Sequence, residues 1–167
     1  MWVNPEKNVK GMKLDIGAGD PATGHEVQAK GFVLNDIEAY DGIDLVCNIL
    51  DLPLYVNKEQ CSVIRASHVL EHFTNKQVKE VLDIIHSLLE PKGKVEIIVP
   101  NLEWHAGLII EGYHEDAIRY IFGGQQDQWD IHKTGFTANT LYDKVVAAGF
   151  NVDEVLNESS ITLHAHK

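Results

Sequence analysis

Lys13-Leu14-Asp15-Ile16-Gly17-Ala18-Gly19-Asp20 sets the fold of this chain. Lys13 to Ile16 reads as a short buried strand, and the glycines that follow read as a tight turn. Glycine at such a turn admits positive φ and a close approach of backbone to ligand. A dinucleotide fingerprint would read G-x-G-x-x-G, but Pro21 stands two residues after Gly19, with Gly24 three further on. Pro21 also lacks the N–H that would face a pyrophosphate. Asp15, just before the turn, repels phosphate and attracts a cation.

Outward from this turn, strand-like and helix-like segments alternate, the pattern of an α/β fold with a parallel sheet. Thr23 to Lys30 is expected as a short helix. Phe32 to Asp36, Leu45 to Ile49 and Ser62 to Ser67 read as strands two to four. Val78, Val81, Leu82, Ile85, Leu88 and Leu89 recur at helical spacing, with Thr74 or Asn75 as the cap. Pro91-Lys92-Gly93 breaks the chain before a fifth strand, Val95 to Val99, which Pro100 stops. His114 to Phe122 reads as a helix ended by Gly123-Gly124. Thr137 caps a last helix, Ala138 to Ala148, closed by Gly149. Phe150 to Leu156 and Ile161 to His166 are joined by four residues, so they must pair antiparallel. The prediction is a Rossmann-like, open, mostly parallel seven-stranded sheet with helices on both faces and a C-terminal antiparallel hairpin, in one domain over 1–167.

Ligands of such sheets bind at the carboxyl ends of the strands. Asp36 ends strand two, 17 residues after Gly19, where a carboxylate can accept both ribose hydroxyls. Asp51 follows strand three, where a carboxylate can accept an adenine amino group and the next backbone N–H, of Leu52, can donate to the ring. Each acid alone also fits a loop or helix cap. Together Asp15, Asp36 and Asp51 follow successive strands and favour a cationic, phosphate-free adenosine ligand.

Composition agrees with a folded globular chain. The 167 residues are 44% hydrophobic and 23% charged, with a formal net charge of −11 and a pI of about 5.1. That excess of carboxylates works against a nucleic-acid partner. Cys47 and Cys61 fit buried free thiols, with no disulfide framework. Met1 to Lys7 has no apolar signal core, and no run reaches membrane-helix length. A cytoplasmic location without membrane contact is the default expectation.

The ordered motifs resemble the class I S-adenosylmethionine-dependent methyltransferases, closest to the small type 11 group. Lys13 to Gly19 is similar to their first motif. Phe32 to Ile37 resembles the ribose-acid segment, and Asn48 to Leu54 the adenine segment. Ser67-His68-Val69-Leu70-Glu71-His72-Phe73 resembles the stretch after strand four, and Leu88 to Lys94 the turn before strand five. His132 to Thr137 and Ala147 to Phe150 resemble the late segment. Asp20-Pro21 departs from the motif by replacing its third glycine.

The resemblance implies S-adenosylmethionine as cofactor, with S-adenosylhomocysteine as product. Its binding residues would be Asp15, Gly17, Ala18, Gly19, Asp36, Ile37, Asp51, Leu52, Ser67 and His68. Ser67 and His68 would line the methionine end, and Glu71 and His72 would fix the loop. His68 and His132 are the candidate bases for an oxygen or nitrogen acceptor. A small-molecule acceptor, such as a sugar or metabolite, is expected, and a homodimer is compatible. A non-catalytic binding or scaffold domain that needs a partner chain is the alternative.

His68-x-x-Glu71-His72 also reads as an inverted zinc-protease pattern. Because His68 directly follows a strand, helical geometry at both histidines is not expected, and no metal site is predicted. Trp104, Tyr113, Trp129 and Phe136 lie where an acceptor pocket would form, though core packing explains aromatics as well. His105 and His114 fit a solvated helix face. Gly123 to Asp130 is a polar loop suited to a lid.

Overall fold

The computed structural model describes residues 1–23 and 31–167. The expected Thr23–Lys30 helix falls almost wholly on 24–30, outside the described residues. Seven strands form one sheet: β1 (Met12–Ile16), β2 (Phe32–Asp36), β3 (Leu45–Val46), β4 (Cys61–Ser67), β5 (Leu89–Pro100), β6 (Asn151–Asn157) and β7 (Ser160–His166). Their order is β3-β2-β1-β4-β5-β7-β6. β1 to β5 run parallel, and β7 pairs antiparallel with both β5 and β6. The order reverses at β1, so the loops after β1 and β4 part there and open a crevice.

Among the described residues four α-helices accompany the sheet: α1 (Asn75–Leu88), α2 (Leu102–Glu111), α3 (His114–Phe122) and α4 (Ala138–Ala147). α1 begins at Thr74, whose hydroxyl accepts from Gln77 N–H in a capping box. Val78, Val81, Leu82, Ile85 and Leu88 form its buried stripe. That stripe joins Leu141 and Val145 of α4 and the strand residues Leu14, Ile64, Ala66, Ile97 and Leu163 in one apolar core.

Residues alternating with these point to the other face, where charges line up across five strands. Asp15, Arg65, Glu96, His164 and Glu154 are register partners on β1, β4, β5, β7 and β6. Arg65 lies 3.3 Å from Asp15 and 2.7 Å from Glu96; His164 lies 3.0 Å from Glu96 and 3.3 Å from Glu154. Alternating sign lets each cross-strand pair attract.

Three boundaries differ from expectation for local reasons. Pro91-Lys92-Gly93 does not end the pairing: β5 starts at Leu89 and bulges, with Lys92 at φ +66°. β3 is only two residues long, because Asn48 accepts Leu50 N–H and turns the chain into a 3₁₀ helix over Ile49–Leu54. α2 has no counterpart in the sequence reading; Asn101 caps it by accepting from Glu103 and Trp104 N–H. Among the described residues no helix is long and apolar enough to cross a membrane.

Candidate active site

A cleft of about 290 Å³ opens at the carboxyl ends of β1, β2 and β4. Its floor is the glycine turn. Gly17 has φ +63°, and a Cβ there would stand 2.6 Å from Val69 Cγ2. Gly19, at φ +69°, has open space where its side chain would be. Both line the cleft. Only glycine fits the first position on steric grounds, and the second is left clear for a ligand.

Asp36 stands on the opposite wall, held by two backbone amides. Its Oδ2 accepts from Gly19 N–H at 2.8 Å, and its Oδ1 from Glu38 N–H at 2.9 Å. These bonds tie the end of β2 to the turn after β1 and fix the carboxylate at the cleft. Ile37, Cys47, Asn48 and Ile49 continue the wall. Burial pushes the Cys47 thiol up to about 11, so it is neutral rather than nucleophilic. Glu38, Asp127 and Asp130 add further carboxylates, against Lys133. Burial, and then this acidic surround, raise the pKa of Tyr40 on the same wall.

The loop 123–132 forms the outer rim. Asp130 organises it, accepting from Gly124 and Gln126 N–H at 3.2 and 3.3 Å. Trp129 closes the loop onto the β2 side, its indole donating to Glu38 Oε1 at 3.1 Å.

His68 sits where β4 ends, with φ +54°, a left-handed conformation uncommon outside glycine. Its N–H donates to Ile98 O at 2.8 Å, which holds the strained residue in place. The side chain is 48% exposed at the cleft, with Nδ1 3.3 Å from Glu71 Oε1. Glu71 is buried, and neither carboxylate oxygen has a hydrogen-bond partner. His72 also lines the cleft and meets His132 edge-on at 4.9 Å between ring centroids.

Of the residues expected to hold a cofactor, Gly17, Gly19, Asp36, Ile37 and His68 line this cleft. Ala18 lies between the two glycines, its N–H donating to Asn35 O. Asp15, Asp51, Leu52 and Ser67 do not line it. Asp15 is 1% exposed and already faces a cation, Arg65; burial raises its pKa to about 6 against that pull. The 3₁₀ turn carries Asp51 to the surface and Leu52 into the core. Asn48 and Ile49, at the start of the same segment, face the cleft instead. Ser67 is half-buried at the end of β4.

His132 is displaced from its expected place. It lies behind His72 on a small cavity shared with Glu71, His105 and Thr134, and its Nδ1 is 2.9 Å from Tyr120 O. Burial lowers its pKa despite the nearby Glu71. His105 is buried and stacked on Tyr120 at 4.5 Å, not solvated as expected. Phe136 is fully buried core, whereas Trp104 and Tyr113 are exposed.

A family model described as a methyltransferase domain matches residues 4–155. Among solved structures, an S-adenosylmethionine-dependent methyltransferase from Archaeoglobus fulgidus superposes with TM-score 0.67 at 16% identity, covering 98% of this chain and 89% of that one. A 1,6-didemethyltoxoflavin-N1-methyltransferase from Burkholderia thailandensis, solved with 1,6-didemethyltoxoflavin and S-adenosylhomocysteine, gives 0.64 at 16% identity over 95% and 72%. An S-adenosylmethionine-dependent methyltransferase from Mesorhizobium loti gives 0.64 at 14% identity over 96% and 93%. Among curated proteins no sequence matches.

Proposed function

This chain belongs to the methyltransferase domain family, and we propose that it transfers a methyl group from S-adenosylmethionine to an oxygen or nitrogen of a small molecule. The observation that carries the reading is the Asp36 carboxylate, fixed at the cleft by Gly19 and Glu38 N–H opposite an open glycine turn. The residues fit the group: a glycine cradle, a ribose acid and an acidic wall suited to a cation, with no basic cluster for phosphate among the described residues that line the cleft. Gly17 and Gly19 receive the methionine portion, Asp36 the ribose hydroxyls, and Ile37, Asn48 and Ile49 the adenine.

When bound, S-adenosylmethionine supplies an activated sulfonium methyl and leaves as S-adenosylhomocysteine. The chain's own contribution is alignment of the acceptor and removal of its proton. His68 is the proposed base. Its Nδ1 faces Glu71, which orients the ring, and its half-exposed side chain leaves Nε2 for the acceptor proton. Trp129 and Lys133 at the rim would hold the acceptor. The small-molecule class is supported by the size of the acidic cleft, about 290 Å³, and by the 1,6-didemethyltoxoflavin bound to the Burkholderia protein.

Isothermal titration with S-adenosylmethionine tests the cofactor site. Asp36→Ala should weaken binding about 10–100-fold, the loss expected when a charged hydrogen-bond acceptor is removed. No binding by the parent chain, or an unchanged Asp36→Ala, sinks the reading. Turnover of labelled donor against small-molecule pools then identifies the acceptor.

A partner-dependent, non-catalytic role draws on one observation. Ile110 on α2, Ile118 and Phe122 on α3, and Tyr113 between the two helices are exposed, apolar side chains of the kind that a partner would cover. Turnover by the isolated chain would exclude that reading.

A further inference from the structure

We propose that Glu71, His72 and His132 form a site for a divalent transition-metal cation at the inner edge of the cleft. One ligand atom from each of the three lies within 4.8 Å of the other two, so a small inward turn of the side chains would bring all three to bond lengths near 2 Å from one ion. Three further observations converge on that point.

The first is Glu71. It is 1% exposed, and neither carboxylate oxygen accepts a hydrogen bond. Its one polar side-chain neighbour is His68 Nδ1, 3.3 Å from Oε1, and a buried carboxylate that accepts no hydrogen bond is costly. A cation between the three side chains removes that cost.

The second is the orientation of the imidazoles. His132 Nδ1 lies 2.9 Å from Tyr120 O, and His72 Nδ1 3.3 Å from Ile131 O. A carbonyl only accepts, so each Nδ1 carries the proton and each neutral ring keeps its lone pair on Nε2. Metal-bound histidines are held in this way, with the second nitrogen donating to a carbonyl or carboxylate.

The third is the surrounding polarity. Thr134 Oγ1 and His105 Nδ1 are also buried without partners, and both line the small cavity that Glu71 and His132 share. At about 10 Å³, that cavity holds no more than one small species.

Two imidazoles and one carboxylate suit zinc, cobalt, nickel or iron; magnesium and calcium prefer all-oxygen sets. Three protein ligands leave coordination positions open, as in catalytic rather than structural sites. His72 lines the cleft, so an open position would face the acceptor. On the methyl-transfer reading above, the ion would bind an acceptor hydroxyl and lower its pKa. Binding of the ion itself does not depend on that reading.

The test is titration of metal-free protein with cobalt(II), read by its visible absorption bands, followed by displacement with zinc. A single equivalent should bind. His72→Ala, His132→Ala and Glu71→Gln should each weaken binding at least about tenfold. His164→Ala/His166→Ala, both on β7, should not. Circular dichroism and S-adenosylmethionine titration report whether each variant folds and keeps the donor site. Should a variant fail to fold, the parent protein decides: cobalt must shift the NMR signals of His72 and His132 and spare those of His164 and His166. No absorption bands, unchanged affinity in folded variants, or shifts at His164 and His166 alone would overturn the site. Cobalt binding without S-adenosylmethionine binding would fail the methyl-transfer reading while leaving the metal site standing.

Discussion

Single residues decide where a ligand can lie, and Gly17 and Gly19 show that two glycines of one turn do different work. Both have positive φ, so alanine at either costs about 1–2 kcal/mol in backbone strain. At Gly17 the added methyl also meets Val69 at 2.6 Å, whereas at Gly19 it meets nothing. Gly17→Ala should therefore lower the melting temperature more than Gly19→Ala. Gly19→Ala should mainly impair S-adenosylmethionine binding, because its methyl enters the cleft. Thermal melts with and without the donor separate the two; equal destabilisation would contradict the geometry. That the glycines and Asp36 lie at the strand ends was legible because a tight turn and a strand-end acid leave local marks. Asp15, Asp51 and Leu52 lie off the cleft for non-local reasons. Arg65 on another strand claims Asp15, and the Asn48 cap rotates Asp51 and Leu52 away.

Elements in register create the charge ladder, which no single segment of sequence displays. Its pH dependence follows from its members. The hydrogen bond with Glu96 raises the His164 pKa above the ordinary 6.5. Its contribution to stability is complete below that value and is lost as pH rises through the folded pKa. Burial raises Asp15 from 3.8 to about 6, so its contribution is complete below 3.8, where the acid is neutral in both states, and is lost as pH rises from 3.8 through about 6. For Glu96, burial pulls upward, but the hydrogen bonds from His164 and Arg65 outweigh it and lower the pKa below 4.5. Its contribution is present above 4.5 and is lost as pH falls through the folded value. From these three groups stability should be greatest near about pH 4.5, decline toward about pH 6 as Asp15 ionises, and decline further above 6.5 as His164 loses its proton, as read by thermal melts. Glu96→Gln should bring the His164 pKa down, measured by NMR titration of its ring protons. An unmoved His164 would show that the pair is not coupled. The bulge at Lys92 and the helix α2 were hidden for a similar reason: the first is completed by pairing with β4, and the cap of the second, Asn101, is itself held by Asn157 and Glu158 from the terminal hairpin.

At the scale of the whole molecule, Phe136 shows how the late segment is fastened to the sheet. It is fully buried, bridges to Asn101 just past β5, and its carbonyl accepts Leu102 N–H at 2.9 Å. The chain entering α4 is thereby anchored beside the segment that carries His132. Phe136→Ala should cost about 3–5 kcal/mol in denaturant unfolding. A loss below about 1 kcal/mol would mean that the site collapses freely. Sequence by itself determined the α/β architecture, the terminal hairpin and the cofactor class, because hydrophobic period, glycine turns and strand-end acids are local properties. Tertiary structure decided which acids reach the cleft and which face an arginine. It also decided that Glu71, His72 and His132, the last 60 positions away in sequence from His72, share one point in space. The sequence reading set that His-x-x-Glu-His pattern aside because His68 follows a strand. In the folded chain the pattern needs no helix at His68: the third ligand atom comes from the loop before α4, and only chain packing brings it there.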